Sequence, residues 1–131
     1  MKKGMLPYRQ HNGFTLIELL VVLAIVSTLA MMVYPRYSQR IDLAKETTLR
    51  ENLRAIRTVI DDFRDDKGHY PDSLDNLVEH RYLKALPIDP ITESSATWHI
   101  TPPPEGQEGA IYDIHSGAPG ANRDGQVYAD W

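Results

Sequence analysis

The residue that stands out as able to do chemistry is Glu18, which lies inside a long apolar run. Residues 14–34 contain no other charged residue and no histidine. A carboxylate at the centre of a lipid bilayer costs on the order of 2.5–3.5 kcal/mol, so a plain membrane anchor would do better with a neutral residue. Glu18 is therefore a candidate functional residue, and its cationic partner must come from outside the run.

A cut between Gly13 and Phe14 would supply that cation. The new α-amine of Phe14, with a reference pKa of about 7.7–8.0, would be largely protonated at neutral pH. It would lie four residues before Glu18 on the same helix face, and it could pair with Glu18 of its own chain or of a neighbour. A pair between chains would penalise misaligned helices in a low-dielectric surrounding, so Glu18 would set their register.

The element that must position Glu18 is a helix long enough to cross a membrane. A helix over residues 14–34 would be roughly 31 Å long, against a hydrocarbon core of about 30 Å. Lys2, Lys3 and Arg9 precede it without any acid and favour a cytoplasmic N-terminus. A secretory signal peptide cleaved after Ala30, in Thr28-Leu29-Ala30, is the alternative, but its apolar region would be only about 7–15 residues long.

Beyond this segment the chain turns polar, and Pro35 marks the change. Proline lacks a backbone donor, so a helix kink is predicted at Pro35. Residues 35–67 then predict an amphipathic continuation of the helix, ending before Gly68. Its apolar stripe consists of Leu49, Leu53, Ile56, Ile60 and Phe63. We expect the stripe to pack on the chain's own domain, a coiled-coil seam with another chain being the alternative.

Charges off the stripe predict two ion pairs along the same helix. Opposite charges four residues apart attract each other on a helix surface. Glu46 with Arg50 and Arg57 with Asp61 have this spacing.

Residues 68–131 predict a small α+β head. Asp72 or Ser73 is expected to cap a short helix. Alternating apolar residues predict three short strands, which would form an antiparallel sheet. These strands are expected at residues 96–101, 110–115 and 126–129.

The segment from Gly13 to Leu20 resembles the prepilin processing site of type IV pilins and type II secretion pseudopilins. It shares with that site a basic leader, Gly before Phe, Glu as the fifth residue after the cut and a following apolar run; Pro35 matches a proline common in these helices. The resemblance implies cleavage after Gly13 by a prepilin peptidase, N-methylation of Phe14 and pairing of Glu18 with the terminal amine of an adjacent subunit.

The same resemblance implies a type IV pilin-like α+β fold with four parts. Residues 1–13 would be a cytoplasmic leader that is cleaved, and residues 14–34 a transmembrane and filament-core helix. Residues 35–67 would continue that helix, and residues 68–131 would form a periplasmic head.

The order Tyr70-Pro71, Leu77, Leu86-Pro87 and Asp89-Pro90 in the head resembles the major G-type pseudopilin. That resemblance implies a structural subunit of a type II secretion pseudopilus, which helps to drive folded proteins through the outer membrane. The implied partners are further copies in a helical filament, minor pseudopilins, the prepilin peptidase, an inner-membrane assembly platform and the outer-membrane secretin. Membrane lipid would surround the helix before assembly.

G-type pseudopilins carry an acid-rich loop that binds calcium, and this chain departs from that pattern. Its segment Ser116–Gly125 offers only Asn122 and Asp124 as side-chain oxygen donors, whereas calcium takes about six to eight oxygen ligands. We therefore expect no cofactor and leave calcium as the open alternative. The chain also has no cysteine, which excludes disulfides and differs from the C-terminal disulfide of a typical type IV major pilin.

The sequence shows no catalytic or metal-binding constellation. The histidines of the head lack the paired spacing of metal ligands; they are His69, His80, His99 and His115. The formal net charge of −4 has the wrong sign for a nucleic-acid partner. We expect a non-enzymatic protein, with a minor or competence type IV pilin as the nearest alternative. A single-span protein whose head binds a ligand or partner is the alternative of another class.

Overall fold

A computed structural model describes residues 12–131. Its elements are helix α1 (Leu16–Lys67), helix α2 (Leu74–Glu79), strand β1 (His99–Thr101), strand β2 (Asp113–His115) and a 3-10 helix (Tyr128–Asp130). The predicted α+β fold with a long N-terminal helix and a small head is confirmed. Helix α1 divides between two compact units, an N-terminal unit that ends at Gln39 and a C-terminal unit from Arg40 to Trp131.

Helix α1 follows the sequence prediction closely at its end and less closely at its start. It begins at Leu16 rather than at Phe14. It ends at Lys67 because Gly68 adopts a positive φ of 79°, which glycine accepts without strain and which closes the last turn. Pro35 lies within the helix, so the helix continues through it, and the kink stays a prediction.

The core of the C-terminal unit forms around the predicted stripe of α1. All five stripe residues are buried, which confirms that this face packs on the chain's own domain. Buried residues of the head complete the core: Tyr70, Leu74, Leu77, Trp98, Ile111 and Ile114. The stripe stabilises the unit because burying each large aliphatic side chain contributes about 1.5–3 kcal/mol.

Helix α2 begins after a side-chain cap, as predicted. Ser73 is the N-cap, and its hydroxyl accepts a hydrogen bond from the backbone N–H of Asn76 at 3.2 Å. This bond satisfies one of the backbone donors that have no partner inside a helix. Leu74 and Leu77 then face the core.

The sheet has two antiparallel strands, not the three that were predicted. His99 pairs with His115 and Ile100 pairs with Ile114. The segment expected as a third strand, residues 126–129, makes one isolated bridge from Val127 to Ala121 and then enters the 3-10 helix. Its backbone bonds close its own turn, from Asn122 N–H to the Gln126 carbonyl, and therefore do not extend the sheet.

Both strands are shorter than predicted. Each strand ends where predicted but begins three residues later. The end of β1 is set by the three consecutive prolines that follow it, since proline cannot donate to a strand ladder. Before β2, the backbone N–H groups of Ala110 and Ile111 donate to the Pro71 carbonyl and are not available to β1. After β2, Gly117 lies so close to the Thr97 carbonyl that a Cβ atom would collide with it.

Candidate functional site

Glu18 closes the N-terminus of α1 through two reciprocal hydrogen bonds with Thr15. The backbone N–H of Thr15 donates to Glu18 Oε2 at 2.9 Å, and the backbone N–H of Glu18 donates to Thr15 Oγ1 at 3.3 Å. This arrangement is a capping box, which satisfies two backbone donors at the helix start. Sequence reasoning missed it, although the Thr-x-x-Glu spacing was the signal. It also explains why the helix begins at Leu16 and not at Phe14.

Gly13 and Phe14 lie before the first helical residue, and both are exposed. The peptide bond between them therefore belongs to non-helical, accessible chain. The basic residues that were expected to form the leader, Lys2, Lys3 and Arg9, lie outside the described residues. The roles predicted for Gly13, Phe14 and Glu18 stay predictions.

The apolar segment after Glu18 has no partner within its own chain. Every residue from position 12 to position 37 is exposed, including the side chains of Val22 and Ile25. Among the described residues, α1 is the helix long and apolar enough to span a membrane. Such a surface is unfavourable in water, so it requires lipid or other protein around it.

Two polar side chains in this segment are satisfied by the helix itself. Ser27 Oγ donates to the Leu23 carbonyl at 2.7 Å, and Thr28 Oγ1 donates to the Ala24 carbonyl at 2.8 Å. Hydroxyls bonded in this way add little polarity to the helix surface. Glu18 is therefore the one formal charge that the apolar run presents.

Arg57 of α1 binds both β2 and the last residue of the chain. Its Nε donates to Asp113 Oδ1 at 2.7 Å, and its Nη2 donates to the carbonyls of Ile114 at 2.8 Å and Trp131 at 2.9 Å. The predicted pair of Arg57 with Asp61 is therefore wrong. The guanidinium instead joins α1 to β2 and to the chain end, because Asp113 and two carbonyl groups converge on it.

The predicted pair of Glu46 with Arg50 is also replaced by contacts to the C-terminal segment. Glu46 Oε1 accepts a hydrogen bond from the Tyr128 hydroxyl at 3.0 Å. Desolvation of Tyr128 and this bond to a carboxylate raise the pKa of the Tyr128 phenol above its ordinary value. Arg50 Nη2 donates to Gln126 Oε1 at 3.2 Å.

A cleft of about 620 Å³ lies between α1 and this C-terminal segment. Three arginines from α1 line one side, Arg50, Arg54 and Arg57, and Trp131 lines the other. The guanidinium carbon of Arg50 lies 4.2 Å from the centre of the Trp131 ring. A guanidinium over an indole face is an attractive contact.

The described residues show no grouping of three His, Cys, Asp or Glu side chains that could hold a metal ion. Ser116 Oγ donates to Asp89 Oδ2 inside the core, and the His115 ring contacts the Trp131 carbonyl. Ser116, His115 and Asp113 therefore do not form a nucleophile–base–acid chain. The Ser116–Asp89 bond instead fixes the loop around Asp89 to the segment after β2.

Comparisons with known proteins match the N-terminal segment to a family model and a longer part of the chain to individual relatives. The family model of the prokaryotic N-terminal methylation motif matches residues 8–34. Type II secretion system core protein G of Pseudomonas aeruginosa is 37% identical over 98 residues, covering 63% of this chain and 69% of that protein. The core protein G of Escherichia coli K12 is 29% identical over 126 residues, covering 84% and 83%.

A competence protein and pilins are also similar. Competence protein ComGC of Halalkalibacterium halodurans is 27% identical over 84 residues, covering 64% of this chain and 79% of that protein. No solved structure was found to match the chain. The structure fits these relatives: it has a long apolar helix with a capped start and a small α+β head. The chain belongs to the type II secretion system core protein G family, the G-type pseudopilins, which are structural subunits.

Proposed function

We propose that this chain is a structural subunit of a type II secretion pseudopilus and is made as a precursor that is cut between Gly13 and Phe14. The observation that carries the proposal is the exposed apolar part of α1, which lies within the matched methylation motif, residues 8–34. A filament of such helices replaces lipid contacts by contacts between chains. The new N-terminus at Phe14 would then be N-methylated by the prepilin peptidase.

Glu18 is proposed to pair with the α-amine of a neighbouring subunit while it still caps its own helix. Its Oε2 accepts from Thr15, and its Oε1 has no hydrogen-bond donor among residues 12–131. A carboxylate has room for several donors on its two oxygens. One oxygen can therefore hold the capping box while the other receives a cation from the next chain.

The proposed location is the inner membrane, with the N-terminus in the cytoplasm and the head in the periplasm. This orientation follows from the basic residues Lys2, Lys3 and Arg9. In that arrangement the subunits would leave the membrane through an assembly platform. The filament would also contain minor pseudopilins and would help to drive folded proteins through an outer-membrane secretin.

The mature N-terminus tests this proposal directly. Mass spectrometry of the chain isolated from bacteria that carry a type II secretion system should find N-methylated Phe14 as the first residue. A Gly13→Leu variant should remain uncut, because a bulky residue replaces the glycine at the cut. An intact Met1, or cleavage after Ala30 as in a secretory signal peptide, would contradict the proposal.

The alternative of a competence or minor type IV pilin shares the same processing. The similarity to a competence protein supports it. Loss of protein secretion after deletion of the gene favours the pseudopilin, whereas loss of DNA uptake with normal secretion favours the competence pilin.

A further inference from the structure

The C-terminal loop, residues 120–128, overlaps the segment Ser116–Gly125, for which the family resemblance raised the question of a calcium site. Its two amide oxygens are already engaged by donors of the protein. Asn122 Oδ1 accepts from the backbone N–H groups of Asp124 at 3.0 Å and Gln126 at 2.9 Å. Gln126 Oε1 accepts from Arg50 Nη2 and from Asn122 Nδ2, both at 3.2 Å. A carbonyl oxygen offers two lone pairs, so both oxygens are fully used.

The remaining donors of the loop do not fit calcium. Calcium takes about six to eight oxygen ligands and binds more weakly as carboxylates are lost. Asp124 is the one carboxylate between residues 120 and 128, and it is exposed. A positive guanidinium, that of Arg50, already lies against Gln126 and would repel a second cation.

Arg50 contacts both the loop and the residue at the chain end. Its Nη2 holds the Gln126 side chain, and its guanidinium carbon lies over the Trp131 ring at 4.2 Å. One side chain of α1 is therefore attached both to the loop and to the chain that follows it. A flat, weakly hydrated guanidinium suits this double contact better than the compact ammonium of lysine.

We propose that Arg50 is the resident cation of the C-terminal loop: its guanidinium, and not a calcium ion, fixes residues 120–131 on helix α1. The side chain of Asn122 holds the shape of the loop itself, since its Oδ1 accepts from two backbone N–H groups of the turn. Two separate attachments hold the same segment on α1, the hydrogen bond from Tyr128 to Glu46 and the hydrogen bond from Arg57 to the Trp131 carbonyl. The head therefore folds independently of calcium, and this holds whether or not the chain assembles into a filament.

Thermal melting of the full chain in detergent micelles tests the proposal. Near-ultraviolet circular dichroism should give the wild type the same melting temperature with a calcium chelator and with millimolar calcium chloride. Arg50→Gln should melt roughly 3–8 °C lower in both conditions, as expected when a contact of this kind is lost from a small domain.

Arg54→Gln is the matched control. Arg54 lines the same cleft and has no hydrogen bond or ring contact to another residue in the described part of the chain. The substitution removes the same charge from the same helix face, so its melting temperature should equal that of the wild type. An equal fall in both variants would contradict the proposal, since it would show that only net charge matters.

The indole N–H signals in NMR spectra report the contact itself. Arg50→Gln should shift the signal of Trp131 because the cation leaves the ring face. The signal of Trp98 should stay in place, since its Nε1 donates to the Pro87 carbonyl at 3.0 Å on another side of the head. Unchanged Trp131 signals would overturn the proposal. So would a rise in the wild-type melting temperature on adding calcium, or recovery of Arg50→Gln by calcium.

Discussion

Helix α1 contributes to both compact units, and its two parts satisfy their apolar residues in different ways. In the N-terminal unit, Ile25 remains 55% exposed. In the C-terminal unit, Ile56 is 0% exposed beneath the head. Both parts carry apolar residues on a helix, so the difference in exposure comes from what covers these residues. The second part is covered by its own chain, whereas the first needs lipid or other subunits.

The polar contacts of the two units differ in the same way. Among residues 12–131, the side chain of Glu18 bonds only with Thr15, three residues away. Arg57 bonds with residues 56, 57 and 74 positions away. The first unit can therefore keep its structure in a membrane or in a filament, because its internal bonds are local. The second unit depends on the packing of the whole head.

Shortening one isoleucine in each unit should give the largest contrast. Ile56→Ala should lower the free energy of unfolding of the head by about 2–5 kcal/mol, because it leaves a cavity in a packed core. Ile25→Ala, the same change in the N-terminal unit, should leave the melting of the head unchanged. Circular dichroism of both full-length variants in micelles measures the difference, and similar losses of stability would break the comparison.

Removing Arg57 should have the next largest effect. Arg57→Met should destabilise the head by about 1–3 kcal/mol, because Asp113 and two carbonyls lose a charged donor. Arg54→Met, on the exposed face of the same helix, should cost little. A double-mutant cycle with Asp113→Asn isolates the pair, and a coupling free energy of zero would show that the ion pair is not stabilising.

Alkaline pH should reveal the smallest effect, again confined to the C-terminal unit. The folded-state pKa of Tyr128 is raised, so the neutral phenol is favoured by folding. Its stabilising contribution is complete below the unfolded value of about 10 and is lost as the pH rises through the folded value. The pKa of Tyr82 is also raised, first by its hydrogen bond to Asp66.

The melting temperature of Tyr128→Phe should therefore fall less steeply above pH ~10 than that of the wild type. A Tyr82→Phe/Tyr128→Phe double variant should fall less steeply still. Identical alkaline profiles for the three chains would show that neither phenol is linked to folding.

Periodic features of the sequence were predictable, whereas contacts between distant segments were not. The buried stripe, the end of α1 near Gly68 and the Ser73 cap follow from helical spacing and local hydrogen bonding. The third strand was wrong because Asn122 closes the turn internally, which alternation of apolar residues does not show. The partners of Arg57 and Glu46 were missed because the helix offered plausible neighbours four residues away.

Glu18 is proposed to complete the N-terminal unit by pairing with other chains. Glu18→Gln tests it most directly, because glutamine can keep the capping box with Thr15 but removes the charge. Glu105→Gln, which removes a charge from an exposed loop, is the control.

The decisive measurement is the yield of sheared filaments from secreting cells. Glu18→Gln should insert into the membrane and melt like the wild type, yet its filament yield should fall at least about tenfold, which corresponds to roughly 1.4 kcal/mol in a single contact. Glu105→Gln should assemble normally. Normal filaments from Glu18→Gln would contradict the account.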